Sequence, residues 1–173
     1  MAGLYIHIPY CVRKCIYCDF PSYAGRQGEI YRYLDAILCE LNTHEQGMPI
    51  DTVFLGGGTP SLLGGDQVRR LFCALRERFA FAPDAECTME ANPNTLTREK
   101  LAVYREAGIN RLSIGVQSLD PGMLAFLSRI HTRDEALDAI AMAKDAGFCN
   151  LSADLMTGLP GQTPAMVKDS VTA

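Results

Sequence analysis

Five short β-rich runs alternate with helical patterns along this chain, and that alternation narrows the accessible folds more than any single motif does. The runs are Leu4–Pro9, Thr52–Gly56, Glu86–Glu90, Arg111–Val116 and Leu151–Met156. Between them apolar residues recur at helical spacing. One stretch carries Ile30, Leu34, Ile37, Leu38 and Leu41; a second carries Val68, Leu71, Phe72, Leu75 and Phe79; a third carries Ala136, Leu137, Ile140 and Ala141. The third follows Thr132-Arg133-Asp134-Glu135, a capping-box pattern, and Gly108 and Gly147 stand where helices end. Strict alternation predicts a parallel sheet with helices outside it, either an open doubly wound sheet or a barrel.

An internal echo supports stacked units of one kind. Glu106-Ala107-Gly108-Ile109-Asn110-Arg111-Leu112-Ser113 aligns with Asp145-Ala146-Gly147-Phe148-Cys149-Asn150-Leu151-Ser152, so helix, glycine stop and strand recur in the same register. The chain stops inside a helical pattern, Pro164–Ala173, so residues 1–173 are expected to be one core domain that lacks its last strand or strands.

In parallel α/β folds ligands sit at the C-terminal strand ends and in the loops beyond them. That rule selects Pro9–Phe20, Gly56–Ser61, Glu90–Asn94, Gln117–Asp120 and Asp154–Gly161. The first of these holds Cys11, Cys15 and Cys18 in C-x3-C-x2-C spacing. Three thiolates on one loop can reach three corners of an iron–sulfur cube, leaving one iron open for a ligand. Arg13 and Lys14 would offset the negative charge, while Tyr17 and Phe20 would shield it from water. A structural zinc site is the competing reading, although zinc prefers four ligands in paired knuckles. His7, offered as a fourth ligand, reads more simply as a hydrogen-bonded barrel histidine.

The other selected loops are polar or glycine-rich. Gly56-Gly57-Gly58-Thr59-Pro60 lets a ligand approach backbone without a Cβ in the way, and no G-K-[ST] follows to make it a phosphate loop. Glu90, Gln117 and Asp154 lie at strand ends and can hold hydroxyl groups; Arg129 can grip a carboxylate with two parallel hydrogen bonds. Together they describe a pocket for a zwitterionic nucleoside.

The cysteine spacing after a first strand resembles the signature of the radical S-adenosylmethionine (SAM) superfamily. That resemblance implies a partial (βα)6 barrel, a [4Fe–4S] cluster on Cys11, Cys15 and Cys18, and SAM held on the open iron. It also implies reductive cleavage of SAM to a 5′-deoxyadenosyl radical that abstracts hydrogen from a substrate. Leu4-Tyr5-Ile6-His7-Ile8-Pro9-Tyr10-Cys11, Gly56–Pro60, Val116-Gln117 and Asp154–Gln162 are similar to the oxygen-independent coproporphyrinogen III oxidase family and its heme-chaperone relatives. By that match Tyr5, Gly57, Gly58, Thr59, Glu90, Gln117, Arg129 and Asp154 contact SAM.

Oxidases of that family carry a further cysteine two residues after the third, whereas Asp19-Phe20 follows Cys18 here, and only three residues precede the first strand. Both departures resemble the heme-chaperone subgroup, whose heme-binding portion is expected beyond Ala173. The implied partners are SAM, heme or a porphyrin, and heme-acceptor proteins. Oxidative decarboxylation of coproporphyrinogen propionates is the alternative.

Composition bounds these readings. A net charge of −4 argues against a nucleic-acid footprint, which is normally basic. No run reaches the length of a membrane span, and the first residues lack a signal-peptide layout, so a cytoplasmic address is expected. Seven cysteines without a secretory signal argue against a disulfide framework, and the scattered four (Cys39, Cys73, Cys87 and Cys149) are expected to be buried, inert thiols.

Overall fold

The computed structural model describes residues 2–173. In chain order its elements are β1 (Ala2–Ile8), β2 (Tyr10–Cys11), β3 (Tyr23–Ala24), α1 (Ile30–Leu41), β4 (Met48–Gly57), α2 (Gly65–Arg78) and β5 (Phe79–Ala91). They continue with α3 (Arg98–Ala107), β6 (Arg111–Gln117), α4 (Pro121–Phe126), α5 (Arg133–Asp145), β7 (Asn150–Leu155) and α6 (Pro164–Thr172). Five strands form one all-parallel sheet in the order β1-β4-β5-β6-β7. The order advances in one direction without the reversal that defines a doubly wound sheet. Right-handed crossovers then place the helices on one face, where α1 packs on α2, α2 on α3 and α3 on α5. β1 and β7 are edges, so the sheet is an open arc of a (βα) barrel rather than a closed one.

Period-two alternation gives each strand a buried and a lumen side. Ile6, Ile8, Val53, Leu55, Met89, Leu112 and Ile114 lie under the helices, all at most 5% exposed. Burial of a side chain of that size contributes about 1.5–3 kcal/mol. The opposite, concave face carries polar groups instead. Arg111 donates to Thr88 Oγ1 (3.3 Å) and Ser152 Oγ (3.4 Å), and Ser113 donates to the Asp154 carboxylate (3.1 and 3.2 Å). Parallel strands normally bury both faces in apolar contacts. A polar lumen face is therefore surface kept for something other than core.

The internal echo is a register. Ser113 pairs with Ser152 across β6 and β7, and their hydroxyls meet at 3.2 Å. Ile109 and Phe148, at the echoed position before the strand, are both buried. Thr132 and Glu135 form the reciprocal capping box that starts α5. Gly108 takes φ +107° at the end of α3, where its N–H and that of Ile109 close the last turn.

Two expectations need correction, and one helix had no periodic signal to read. Phe79 belongs to β5, not to the preceding helix: it is extended and pairs with Met48, and because it is buried in either setting the periodicity did not discriminate. The short helix α4 carries too few residues for a helical period, and its sequence signal is the capped Asp120-Pro121 start. Of the scattered cysteines only Cys87 is buried. Cys39, Cys73 and Cys149 are exposed, the first two on α1 and α2 and the third just before β7. Among the described residues, no helix is long and apolar enough to cross a membrane.

Tyr104 is fully buried under the sheet, and its hydroxyl donates to Leu63 O at 2.6 Å. Tyr104→Phe strips that carbonyl of its side-chain donor, so urea unfolding is expected to show a loss of about 1–2 kcal/mol. An unchanged midpoint would mean that this bond contributes nothing.

Candidate functional site

The cysteine loop leaves β1 directly and is held closed at its neck. β2 and β3 pair in parallel, Tyr23 N–H donates to Pro9 O (2.7 Å), and the Gln27 amide donates to Cys11 O (2.8 Å). His7 braces the far side of the loop. Its Nε2 bonds Pro21 O at 2.8 Å, while its Nδ1 bonds the Tyr5 hydroxyl at 2.9 Å, as expected for a hydrogen-bonded strand histidine. Within the loop, Cys18 N–H donates to Cys15 O (3.1 Å), a turn that presents the last two cysteines together.

Cys11, Cys15 and Cys18 line one cavity at the C-terminal rim of the sheet. Gly57, Gly58, Thr59, Glu90, Gln117, Arg129 and Asp154 line the same cavity, as do Arg13, Lys14, Tyr17 and Phe20. Of the eight residues that the resemblance assigns to SAM, Tyr5 alone stands outside its lining, 57% exposed on the concave side of β1 with its ring stacked on Phe54. Among the described residues, no three acidic, histidine or cysteine side chains converge tightly enough to enclose a single ion. Thiolates that ligate an iron–sulfur cube each take a different iron and do not need to converge on one point.

Two thiols already accept from donors. Thr59 Oγ1 points to Cys11 Sγ (3.5 Å) and Arg129 Nη1 to Cys15 Sγ (3.6 Å), an arrangement that suits sulfur carrying negative charge. Asn92 connects these donors, since its amide nitrogen donates to Thr59 Oγ1 (3.0 Å) and its oxygen accepts from Arg129 Nη2 (2.6 Å). Sequence reasoning did not single out Asn92. The available signal was its place two residues beyond Glu90 at the end of β5, immediately before Pro93.

Arg129 reaches the cavity through a helix stop. At the end of α4, Ser128 N–H bonds Ala125 O (3.0 Å), Arg129 N–H bonds Leu124 O (2.9 Å), and Ser128 adopts φ +58°. That Schellman turn with serine in the usual glycine place aims the guanidinium back over the sheet, where it also donates to Gly115 O.

Gly57 and Gly58 also meet a demand inside the protein. Gly57 N–H donates to Glu90 (3.0 Å) and Gly58 N–H to Ile8 O (2.9 Å), so these donors are used within the protein. A Cβ on Gly57 would meet the His7 ring at 2.5 Å, and one on Gly58 would meet Tyr10 O at 2.7 Å. Close approach of β4 to the start of the cysteine loop is what requires glycine here.

The remaining groups leave capacity for a ligand. Burial pushes the half-buried Glu90 carboxyl up, with the Asp154 charge adding to the effect and the Gly57 N–H opposing it. Among the described residues no basic side chain pairs with Glu90. Ser22 Oγ, buried at the cavity wall, has no hydrogen-bond partner. Gln117 holds φ +65° at the tip of β6, a conformation that costs about 1–3 kcal/mol and is typical of ligand-holding positions. Burial pushes the Tyr17 hydroxyl up to about 12, which keeps it a donor beside Cys15. Three cysteine sulfurs, a carboxyl group without a basic partner, an unpartnered hydroxyl and an arginine fit both a cluster and a zwitterionic nucleoside bound next to it.

A family model described as the radical SAM superfamily matches residues 5–172. The heme chaperone HemW of Escherichia coli (strain K12) is 46% identical over 166 residues, covering 93% of this chain and 44% of the relative. HemW of Bacillus subtilis (strain 168) is 39% identical over 175 residues, covering 99% of this chain and 46% of the relative. Among solved structures, the coproporphyrinogen III oxidase HemN of Escherichia coli, a radical SAM enzyme, superposes with a TM-score of 0.90 at 33% identity. That match covers 98% of this chain and 40% of the oxidase. The chain thus spans less than half the length of each of these relatives.

Two outcomes follow from this geometry. Gly58→Ala drives a methyl into the Tyr10 backbone, which cannot rotate aside, and is expected to cost at least about 2 kcal/mol in urea unfolding; Gly28→Ala, with nothing within 4 Å of the new Cβ, serves as the neutral control. His131 is 3% exposed, and burial, then the Arg129 charge, lower its imidazole to about 4. The unfolded chain binds this proton at higher pH than the folded chain does, so the associated stability is complete above about pH 6.5. It is lost as pH falls toward 4, by roughly 3 kcal/mol. Denaturant midpoints measured across that range are expected to fall less steeply in His131→Phe, and parallel curves would contradict this.

Proposed function

The chain belongs to the radical SAM superfamily, and from that membership we propose that it is the cluster- and SAM-binding core of a heme-trafficking protein. One observation carries the reading: the three-cysteine loop, Glu90, Gln117, Arg129 and Asp154 meet around a single cavity at the C-terminal strand ends. In this reading Cys11, Cys15 and Cys18 would hold a [4Fe–4S] cluster, and the cavity beside them would hold SAM. When bound, the cluster supplies the electron for reductive cleavage of SAM.

The chain's own residues bind and orient. Arg129 offers its charge and the one Nη1–H not turned to Cys15 to the SAM carboxylate, and Glu90 offers a desolvated carboxylate to its ammonium or hydroxyl groups. Gln117 and Asp154 hold ribose hydroxyls. Gly57, Gly58 and Thr59 form the wall beside the methionyl part. Tyr5 acts at one remove, through the His7 brace on the loop. Thr59, Arg129, Arg13 and Lys14 offset negative charge on the sulfurs.

Heme enters from two directions. The similar curated relatives are named heme chaperones, and Asp19-Phe20 stands where oxidases of the family carry a further cysteine. Acceptor proteins are the corresponding partners, and seven free thiols suit the reducing cytoplasm. The likeness to HemN favours a second reading, oxidative decarboxylation of coproporphyrinogen III.

Anaerobic reconstitution followed by electron paramagnetic resonance of the reduced chain, with and without SAM, tests the core of this proposal. The expected result is iron and sulfide in the wild type, their loss in each of Cys11→Ala, Cys15→Ala and Cys18→Ala, and a spectrum that changes on adding SAM. Zinc without iron or sulfide would overturn it. Glu90→Gln is expected to keep the iron and weaken the SAM response about 10–100-fold, the worth of one hydrogen bond to a charged group. Heme titration of the full-length protein against an anaerobic assay for protoporphyrinogen IX separates chaperone from oxidase, with heme binding and no turnover expected.

A further inference from the structure

Behind the cysteine loop lies a second, much smaller cavity, lined by Val12, Cys15, Asn94, Thr95, Arg129 and His131 among others. Its volume, about 10 Å3, matches one water molecule. Two buried side-chain atoms of its lining residues have no hydrogen-bond partner, Arg129 Nε and His131 Nδ1. They are chemically complementary. His131 Nε2 lies 3.1 Å from Val116 O and must carry the proton to donate there, which leaves Nδ1 a bare acceptor. Burial keeps the ring neutral, since its imidazole is lowered to about 4. Arg129 Nε–H is a donor.

We propose that one internal water accepts from Arg129 Nε–H and donates to His131 Nδ1, making His131 a positioning residue for the guanidinium that faces the cysteine loop. The other two nitrogens of that guanidinium are already held, Nη1 toward Cys15 Sγ (3.6 Å) and Nη2 by Asn92 (2.6 Å) and Gly115 O. A water on Nε fixes the remaining edge of the planar group, so the guanidinium cannot pivot away from the sulfur. A polar void of this size, lined by the residues that carry this donor and this acceptor, takes up water, whereas an apolar void stays dry. The water depends only on this chain's geometry; its influence on SAM rests on the function proposed above.

The two are tested separately. A crystal structure of the cluster-loaded chain at about 1.2 Å resolution is expected to show an ordered water within hydrogen-bond distance of both Arg129 Nε and His131 Nδ1. A dry cavity, or a water on one partner alone, would overturn the proposal whatever SAM does. His131→Phe fills the ring volume without the acceptor, while His131→Asn keeps an acceptor near the Nδ1 position. With iron content unchanged, Phe is expected to weaken SAM binding, read from the paramagnetic resonance shift, by about tenfold, and Asn to restore most of it. Equal losses in both variants, or none in Phe, would reduce His131 to packing. Failure of the wild type to respond to SAM would instead count against the functional reading and leave the crystallographic result standing.

Discussion

One-way parallel pairing of five strands is the constraint on which the rest of this molecule depends. With every strand running in the same direction, the C-terminal ends of β1, β4, β5, β6 and β7 come to one rim. Residues far apart in the chain, Cys11 near its start and Asp154 near its end, then face a common space. The helices cover the other side of the sheet with aliphatic contacts, which frees the concave side to be polar. Strand order decides the architecture here: without a reversal there is no crevice between two half-sheets, so the ligand site forms on the inside of the curve.

The neck of the cysteine loop shows how little structure is needed to present three thiols. Two residue pairs between β2 and β3, one glutamine amide on Cys11 O and the His7 bond to Pro21 O fix its ends. Gly57 and Gly58 let β4 come close enough for that clamp, since any side chain would strike the His7 ring or the Tyr10 backbone. Their role is steric fit between two parts of the protein, with the cavity wall as its by-product.

Much of the fold and most of the site were legible in the sequence because they rest on local rules. The 113/152 echo predicted a strand register, the Thr132–Glu135 box a helix start, and the loop rule the wall of the cavity. What escaped reading depends on distance in the chain. Asn92 matters because Thr59 and Arg129 arrive on either side of it, and no pattern within its own segment announces that. Phe79 is equally buried as helix end or strand start, so its hydropathy carried no information. Tyr5 lies on the concave side of β1 but outside the cavity's lining, and a family pattern alone, with no local signal beside it, marked it out.

The three solvent-facing thiols, Cys39, Cys73 and Cys149, have nothing to do with the rim, yet they shape how the molecule behaves in a test tube. In air they are the most exposed sulfurs of the chain, so covalent dimers and larger species can form through them. An alkylating reagent meets these three before it meets Cys87. A bulk sulfhydryl count therefore adds these three to the half-buried Cys15 and Cys18 and is not by itself a measure of metal loading at the loop.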